Sequence, residues 1–216
     1  MPDRRLSLTG PVPVPMMPES DDAGVEMIHD KLVKAAEDQK ELLNEIMMTH
    51  AGAFEVFARE VVQAFNNDGR LLLAGSGTLG AVANLVANLF SHRLSIDRPM
   101  LPAISLCQNP VLASALAVDS HSDQYYVRQL RTVARTGDVL LVFDDPHHDI
   151  AIREAMLVAR DLNCKVGKIC LCTDDDGGDP DFLFCFPQVP PARGIEAAVF
   201  FGCLLCELVE GELFGI

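Results

Sequence analysis

From residue 70 onward the chain alternates short apolar runs with segments of helical spacing, and that alternation restricts the possible folds more than any other feature. Arg70–Ala74, Leu101–Leu106, Asp138–Phe143, Val166–Cys172 and Phe182–Phe186 read as strands. Leu79 to about Leu94, Val111–Ala117, Asp123–Arg135, Ile150–Leu162 and about Arg193 to Leu213 read as helices. Apolar strands separated by helices predict a parallel sheet covered on both faces. Ligands of such sheets bind beyond the carboxyl ends of the strands, where Gly75–Thr78, Asp144–Asp149 and Thr173–Asp179 gather.

Before the first strand, apolar residues recur at helical spacing from Val25 to about Phe65, with Ile28, Leu32, Leu42, Ile46, Phe54, Phe57 and Val61 among them. The pattern predicts a helical hairpin over 23–66 broken near His50-Ala51-Gly52, ahead of an α/β core over 70–216 in a single domain. Residues 1–22, with Pro2, Pro11, Pro13, Pro15 and Pro18, predict an extended or disordered arm.

Composition narrows the function. At 216 residues and 49% hydrophobic content the chain can bury one substantial core. Its 17 Lys plus Arg against 31 Asp plus Glu leave a formal charge of −14, which repels phosphate backbones and anionic lipid, so direct nucleic-acid and membrane binding are not expected. No apolar stretch suits a membrane span or an export signal, so a cytoplasmic location is expected. Seven cysteines lie mostly in apolar runs, as reduced, buried thiols do. Cys203-x-x-Cys206 has no second pair at zinc-finger spacing and reads as core packing.

Gly75-Ser76-Gly77-Thr78-Leu79-Gly80 follows a strand and opens a helix, matching the letters of a dinucleotide fingerprint. The acid that would hold a ribose is missing, because the next strand runs into Cys107-Gln108-Asn109-Pro110. The loop either presents N–H groups and hydroxyls to an anion or sugar oxygen or is simply a tight turn that needs glycine. Asp144, Asp145, His147, His148 and Asp149 offer metal-type donors, yet the default reading is a solvated loop in which Asp149 before Ile150-Ala151 is an ordinary helix N-cap.

Several segments in order carry a family resemblance: the helices before the first strand, Leu71-Leu72-Leu73-Ala74-Gly75-Ser76-Gly77-Thr78, Leu101-Pro102-Ala103-Ile104-Ser105-Leu106 and Gly137-Asp138-Val139-Leu140-Leu141. Asp119, Tyr126–Arg131, Asp176-Gly177-Gly178, Ala192-Arg193 with Glu196 and Glu212-Leu213-Phe214 add to it. The chain resembles the sugar-isomerase-type (SIS) family, in its phosphoheptose isomerase and DiaA branch, over about residues 27 to 215. The resemblance implies a three-layer α/β fold with a five-stranded parallel sheet, a homotetramer, and ligand sites at subunit interfaces.

In the isomerases, a His and a Glu one helical turn apart and a Gln and a His three residues apart bind zinc and move the proton. Those positions fall here on Leu85, Leu89, Ile195 and Ala198, none of which can ligate a metal or transfer a proton. The family's Ser/Thr-rich phosphate loop is replaced by Asp144-Asp145-Pro146-His147-His148-Asp149.

The sequence therefore implies an oligomeric binding protein rather than an enzyme, with no cofactor and zinc disfavoured. Gly75, Ser76, Gly77, Thr78, Asp144, Asp145, Asp149 and Glu196 are the expected ligand-binding residues, with His147 and His148 as candidate metal ligands. The resemblance also implies a protein partner such as the replication initiator DnaA, touched through Leu213 and Phe214, which serve equally well to pack the last helix. The alternative is an isomerase or sugar-sensing member with a displaced site that tolerates acidic surroundings. The four apolar positions are expected to converge into one patch.

Overall fold

The computed structural model describes residues 22–145, 147, 149–172, 179–187 and 190–215. The expected N-terminal arm lies outside them, apart from Asp22, which opens the first helix. Two compact units divide at Glu37/Asp38. The first is helical from Asp22, and the second holds the sheet and every candidate residue.

Among the described residues, six α-helices and five strands follow in the order α1 (Asp22–Asn66), β1 (Leu71–Gly75), α2 (Leu79–Ser91), β2 (Ala103–Ser105), α3 (Pro110–Val118), α4 (Tyr125–Val133), β3 (Val139–Asp144), α5 (Ile150–Asp161), β4 (Lys165–Cys170), β5 (Phe182–Cys185) and α6 (Pro191–Phe214). A single turn of 3-10 helix, Ser122–Gln124, leads into α4. All strand pairs are parallel, in the order β2-β1-β3-β4-β5.

Alternation along the strands divides the core into two. Leu71 and Leu73 of β1 and Leu141 and Phe143 of β3 pack with α1, α2 and α6 on one face. Leu72 and Ala74, Leu140 and Val142, and Val166 of β4 pack with α4 and α5 on the other. The result is the expected three-layer architecture, with both sheet faces covered.

The expected hairpin is not formed: α1 runs unbroken through His50-Ala51-Gly52 as one 45-residue helix. The reason is the stripe of Leu42, Ile46, the half-buried His50, Phe54, Ala58 and Val61, which keeps helical spacing of four and then three residues across Gly52 and would be split between two faces by a break. One helical glycine costs only about 1 kcal/mol relative to alanine, less than that buried stripe contributes. His50 belongs to the stripe, with Nε2 2.9 Å from the Cys185 carbonyl oxygen and its ring edge-on to Phe184 at 5.9 Å.

The second correction concerns sulfur. Cys170 and Cys172 form a disulfide at the end of β4, while Cys107, Cys164, Cys185, Cys203 and Cys206 are not disulfide-bonded. Two residues apart on extended chain, side chains point to the same face, and a bend brings these Cα atoms to 5.4 Å. No described helix is long and apolar enough to cross a membrane.

Candidate functional site

β1 pairs with β2 on one side and with β3 on the other, so the loops after β1 and β3 leave the sheet side by side at the point where the chain reverses its winding. Gly75 is aligned with Phe143, which places the glycine loop next to Asp144 and Asp145.

Much of the loop's hydrogen-bonding capacity is spent on itself. The N–H groups of Leu79, Gly80 and Ala81 donate to the carbonyls of Ser76, Gly77 and Thr78 at 2.8, 3.2 and 3.0 Å. A Cβ on Gly75 would lie 2.5 Å from the Leu79 carbonyl oxygen, so the first turn of α2 folds back over this position only because it is glycine. Gly77 sits at φ +47. A Cβ there would be 3.8 Å from Asp145 Oδ2, which places a carboxylate beside the loop. Ser76 is 2% exposed and its Oγ accepts the Asp145 N–H at 2.8 Å, tying the β1 loop to the β3 loop.

Two clefts flank the loop. The larger, about 780 Å³, is lined by Gly75, Gly77, Cys107, Tyr126 and Asp149 among others. Tyr126 closes its floor by donating to the Gly75 carbonyl at 2.6 Å, with Cys107 Sγ 3.4 Å from the same hydroxyl. Burial foremost, and Cys107 next, push the Tyr126 phenol far above its ordinary value and keep it a proton donor. The smaller cleft, about 210 Å³, is lined by Ser76, Thr78, Asp145, His147 and, from α6, Gly194 and Ile195.

The loop after β3 divides its acids among different tasks. Asp149 caps α5 by accepting the Ala151 N–H at 2.9 Å and also lines the larger cleft. Asp145 accepts the His147 N–H at 2.8 Å. Asp144 does not reach either cleft: it is buried and paired with Lys168 Nζ at 3.0 Å, both side chains being almost fully enclosed. Among the described residues its buried Oδ1 has no hydrogen-bond partner. Burial raises its pKa, and the Lys168 ammonium only partly offsets this. His148 lies outside the described residues, and among those described no three His, Cys, Asp or Glu side chains group as a metal site.

Glu196 is also not a cleft residue; it is exposed on α6 and pairs with Arg193 at 2.7 Å. The positions aligned with the isomerase residues only partly converge. Ala198 lies in, and the half-buried Leu89 and Ile195 pack against, the apolar core that α1, α2 and α6 form on one face of the sheet, whereas Leu85 is 40% exposed and stands outside it. Leu85 leaves the patch because α2 buries Val82, Ala83, Val86 and Ala87 and turns position 85 outward. None of the four offers a donor atom, so the residues present do not fit a zinc ion.

At the chain end, Leu213 packs against the core while Phe214 is 38% exposed. Behind them, a fully buried Arg98–Glu210 pair ties the chain after α2 to α6, with Nε to Oε1 at 2.7 Å. Glu210 also accepts the N–H groups of Leu94 and Ser95. Arg98 donates to the carbonyls of Leu89 and Phe90 at the end of α2. Cys206, 3.8 Å from Arg98, is buried as expected, and burial pushes its thiol up to about 12.

Sequence reading did not single out Tyr125, Asp123, Asn84, Cys107 or Lys168. Two signals were available: Tyr125 and Tyr126 are the chain's only tyrosines and are adjacent, and Lys168 interrupts an apolar strand.

The SIS domain family model matches residues 36–169. Among curated proteins, the chain is 26% identical to a phosphoheptose isomerase of Thermodesulfovibrio yellowstonii over 194 residues, covering 88% of this chain and 94% of that one. It is 31% identical over 166 residues to the DnaA initiator-associating protein DiaA of Erwinia tasmaniensis, covering 73% of this chain and 82% of that one. Among solved structures, a phosphoheptose isomerase from Francisella tularensis matches with a TM-score of 0.77 at 22% identity, over 83% of this chain and 96% of that one.

Proposed function

Because the chain belongs to the SIS domain family, we propose that it is a non-catalytic member that acts in the cytoplasm as an oligomeric adaptor, assembled as a homotetramer and carrying no zinc. The observation that carries this reading is that Leu89, Ile195 and Ala198, which lie in or against the apolar core, offer only hydrocarbon side chains at positions where the isomerases need metal ligands and proton carriers. The Asp145 carboxylate beside the glycine loop supports it, since two like charges about 4 Å apart repel by roughly 1–4 kcal/mol near a protein surface. A phosphate dianion is therefore disfavoured at that loop.

The partner is a protein, and the similarity to DnaA initiator-associating proteins makes DnaA the first to test. A multimer presents each contact several times, so modest single contacts add up to useful avidity. Phe214 is the anchor on this reading, because its ring is outward while Leu213 holds the end of α6 to the core.

The test has two arms run on the same full-length protein. Light scattering is expected to give a tetramer, and immobilised protein is expected to retain purified DnaA in a Phe214-dependent way. Incubation with sedoheptulose 7-phosphate is expected to give no isomerised product, with or without added zinc. Turnover of that substrate would overturn the non-catalytic reading, and absence of DnaA retention by a confirmed tetramer would overturn the choice of partner.

The second reading, a sugar-directed member with a displaced site, draws on the open cleft of about 780 Å³ beside the glycine loop. Stoichiometric zinc in the purified protein would favour it.

A further inference from the structure

We propose that Cys170 and Cys172 form a reversible thiol–disulfide couple that exchanges with small thiols of the glutathione type, entered through Cys172. The inference goes beyond the adaptor reading, and only its link to a reducing compartment rests on the proposed cytoplasmic location.

The fold leaves this disulfide little to hold. Cys170 lies in β4 between two neighbouring strands, aligned with Asp144 of β3 on one side and with Cys185 of β5 on the other. Its carbonyl accepts the Phe186 N–H at 2.8 Å, and the Leu171 N–H donates to the Asp144 carbonyl at 3.0 Å. The sheet therefore fixes this end of β4 without help from sulfur. Closing a ring over a single intervening residue also removes little entropy from the unfolded chain, because that gain grows with loop length. In a cytosol kept reduced by small thiols, a disulfide that is not a staple is of the exchanging or sensing kind.

The two sulfurs differ in access. Cys170 is fully buried, whereas Cys172 is half-exposed in the bend after the strand. An incoming thiolate meets Cys172 Sγ first. A new S–S bond forms there as the Cys170–Cys172 bond breaks, and the electron pair leaves on Cys170, which takes up a proton. A second thiolate then attacks the small-molecule sulfur of the mixed disulfide and releases Cys172. In sum, the protein disulfide and two small thiols become two protein thiols and one small disulfide, so the protein is reduced and the small thiol oxidised. Glutathione disulfide drives the same steps in reverse and closes the ring again.

Leu171 carries the state of the couple into the fold. It stands between the two cysteines, and its Cδ1 would be 3.0 Å from a Cβ on Gly194 in the first turn of α6. The closed ring fixes the bend that sets Leu171 against that turn. Reduction frees Cys172 from the bend and loosens the turn, which is held at the Pro190 carbonyl by the N–H groups of Arg193 and Gly194.

The experiment equilibrates the native full-length protein in mixtures of glutathione and glutathione disulfide, traps the thiols by acid and alkylation, and maps them by mass spectrometry. Cys170 and Cys172 are expected to pass together between linked and thiol forms without denaturant. In Cys170→Ala, Cys172 is expected to retain a glutathione adduct, whereas in Cys172→Ser the enclosed Cys170 is expected to react at least about tenfold more slowly. Cys185→Ser removes the cysteine aligned with Cys170 on β5 and is expected to leave the exchange unchanged. Hydrogen exchange in the first turn of α6 is expected to be about threefold faster in the reduced form. Exchange only in denaturant, a pair never found linked, an adduct on Cys170 in place of Cys172, dependence on Cys185, or equal hydrogen exchange in the two forms would each overturn the proposal. None of these outcomes bears on DnaA retention, so the two readings fail separately.

Discussion

Replacing Glu210 with alanine removes the hub of the buried clamp between α6 and the end of α2. In the native chain its two oxygens accept from Arg98 Nε at 2.7 Å and from the N–H groups of Leu94 and Ser95 at 3.1 and 3.3 Å. Glu210→Ala leaves two amides without acceptors and an enclosed guanidinium without its counter-charge. Removing one partner of a buried pair costs about 3–5 kcal/mol. The bonds from Arg98 to Leu89, Phe90 and Pro99 survive and hold the loss toward the lower half of that range.

For a chain of this length, about 2–4 °C of melting temperature corresponds to each kcal/mol, so Glu210→Ala is expected to melt roughly 10 °C lower. Glu210→Gln, which keeps an acceptor but loses the charge, should fall between. Urea unfolding of the wild type, both single alanine variants of the pair and the Arg98→Ala/Glu210→Ala double variant gives the coupling directly, with about 2 kcal/mol of non-additivity expected.

The pH dependence has a definite sign. Burial pushes the Glu210 carboxyl up, but the Leu94 N–H, Arg98 and the Ser95 N–H outweigh it and hold the group below its ordinary value near 4.5. A depressed folded-state pKa means that the contribution is complete above the unfolded value and is lost as pH falls through the folded one. The difference in stability between wild type and Glu210→Gln should therefore shrink on acidification below about pH 4.5. A Glu210→Ala variant within about 1 kcal/mol of wild type, or strict additivity in the cycle, would refute this account of the clamp.

Three further outcomes follow from other contacts. A Cβ on Gly202 of α6 would run into Val86 Cγ2 of α2, so Gly202→Ala should destabilise by about 1–3 kcal/mol in urea and be partly rescued by Val86→Ala. Burial raises Cys164 to about 11 and Cys206 to about 12, so near pH 8 iodoacetamide should label the half-exposed cleft residue Cys107 well before either, as peptide mapping would record. Leu213→Ala should lower the melting temperature through lost core contact, whereas Phe214→Ala should leave it within about 1 °C and instead weaken partner retention.

The layered core was largely legible because its signals are local and periodic. Strand β3 was expected over Asp138–Phe143 and runs Val139–Asp144; α5 was expected over Ile150–Leu162 and runs Ile150–Asp161. Asp149 was readable as a cap because its neighbours in sequence define the role. The false break at Gly52 came from weighing a single residue's propensity above the stripe that crosses it.

The site was less legible because its relations are long-range. Asp144 and Lys168 are 24 positions apart, and only the register that aligns Asp144 with Cys170 on the neighbouring strand brings the lysine onto the same face beside it. Sequence counting placed Leu85 and Leu89 on one helix but not the rotation that exposes the first and covers the second. The cleft walls come from α2, α3, α4 and α5 at once, and no single motif carries them.

The strand order β2-β1-β3-β4-β5 separates what keeps this chain folded from what it can recognise. Leu72, Leu140 and the other strand residues are committed to the two cores and Gly75 to the turn that follows β1, while Thr78 and Asp145 stand past the strand ends outside both cores and can change identity without reopening either. A lineage built on this frame can therefore give up one chemistry and try another by short replacements after β1 and β3. The same arrangement makes those two loops the natural positions to randomise when selecting new binders from this scaffold.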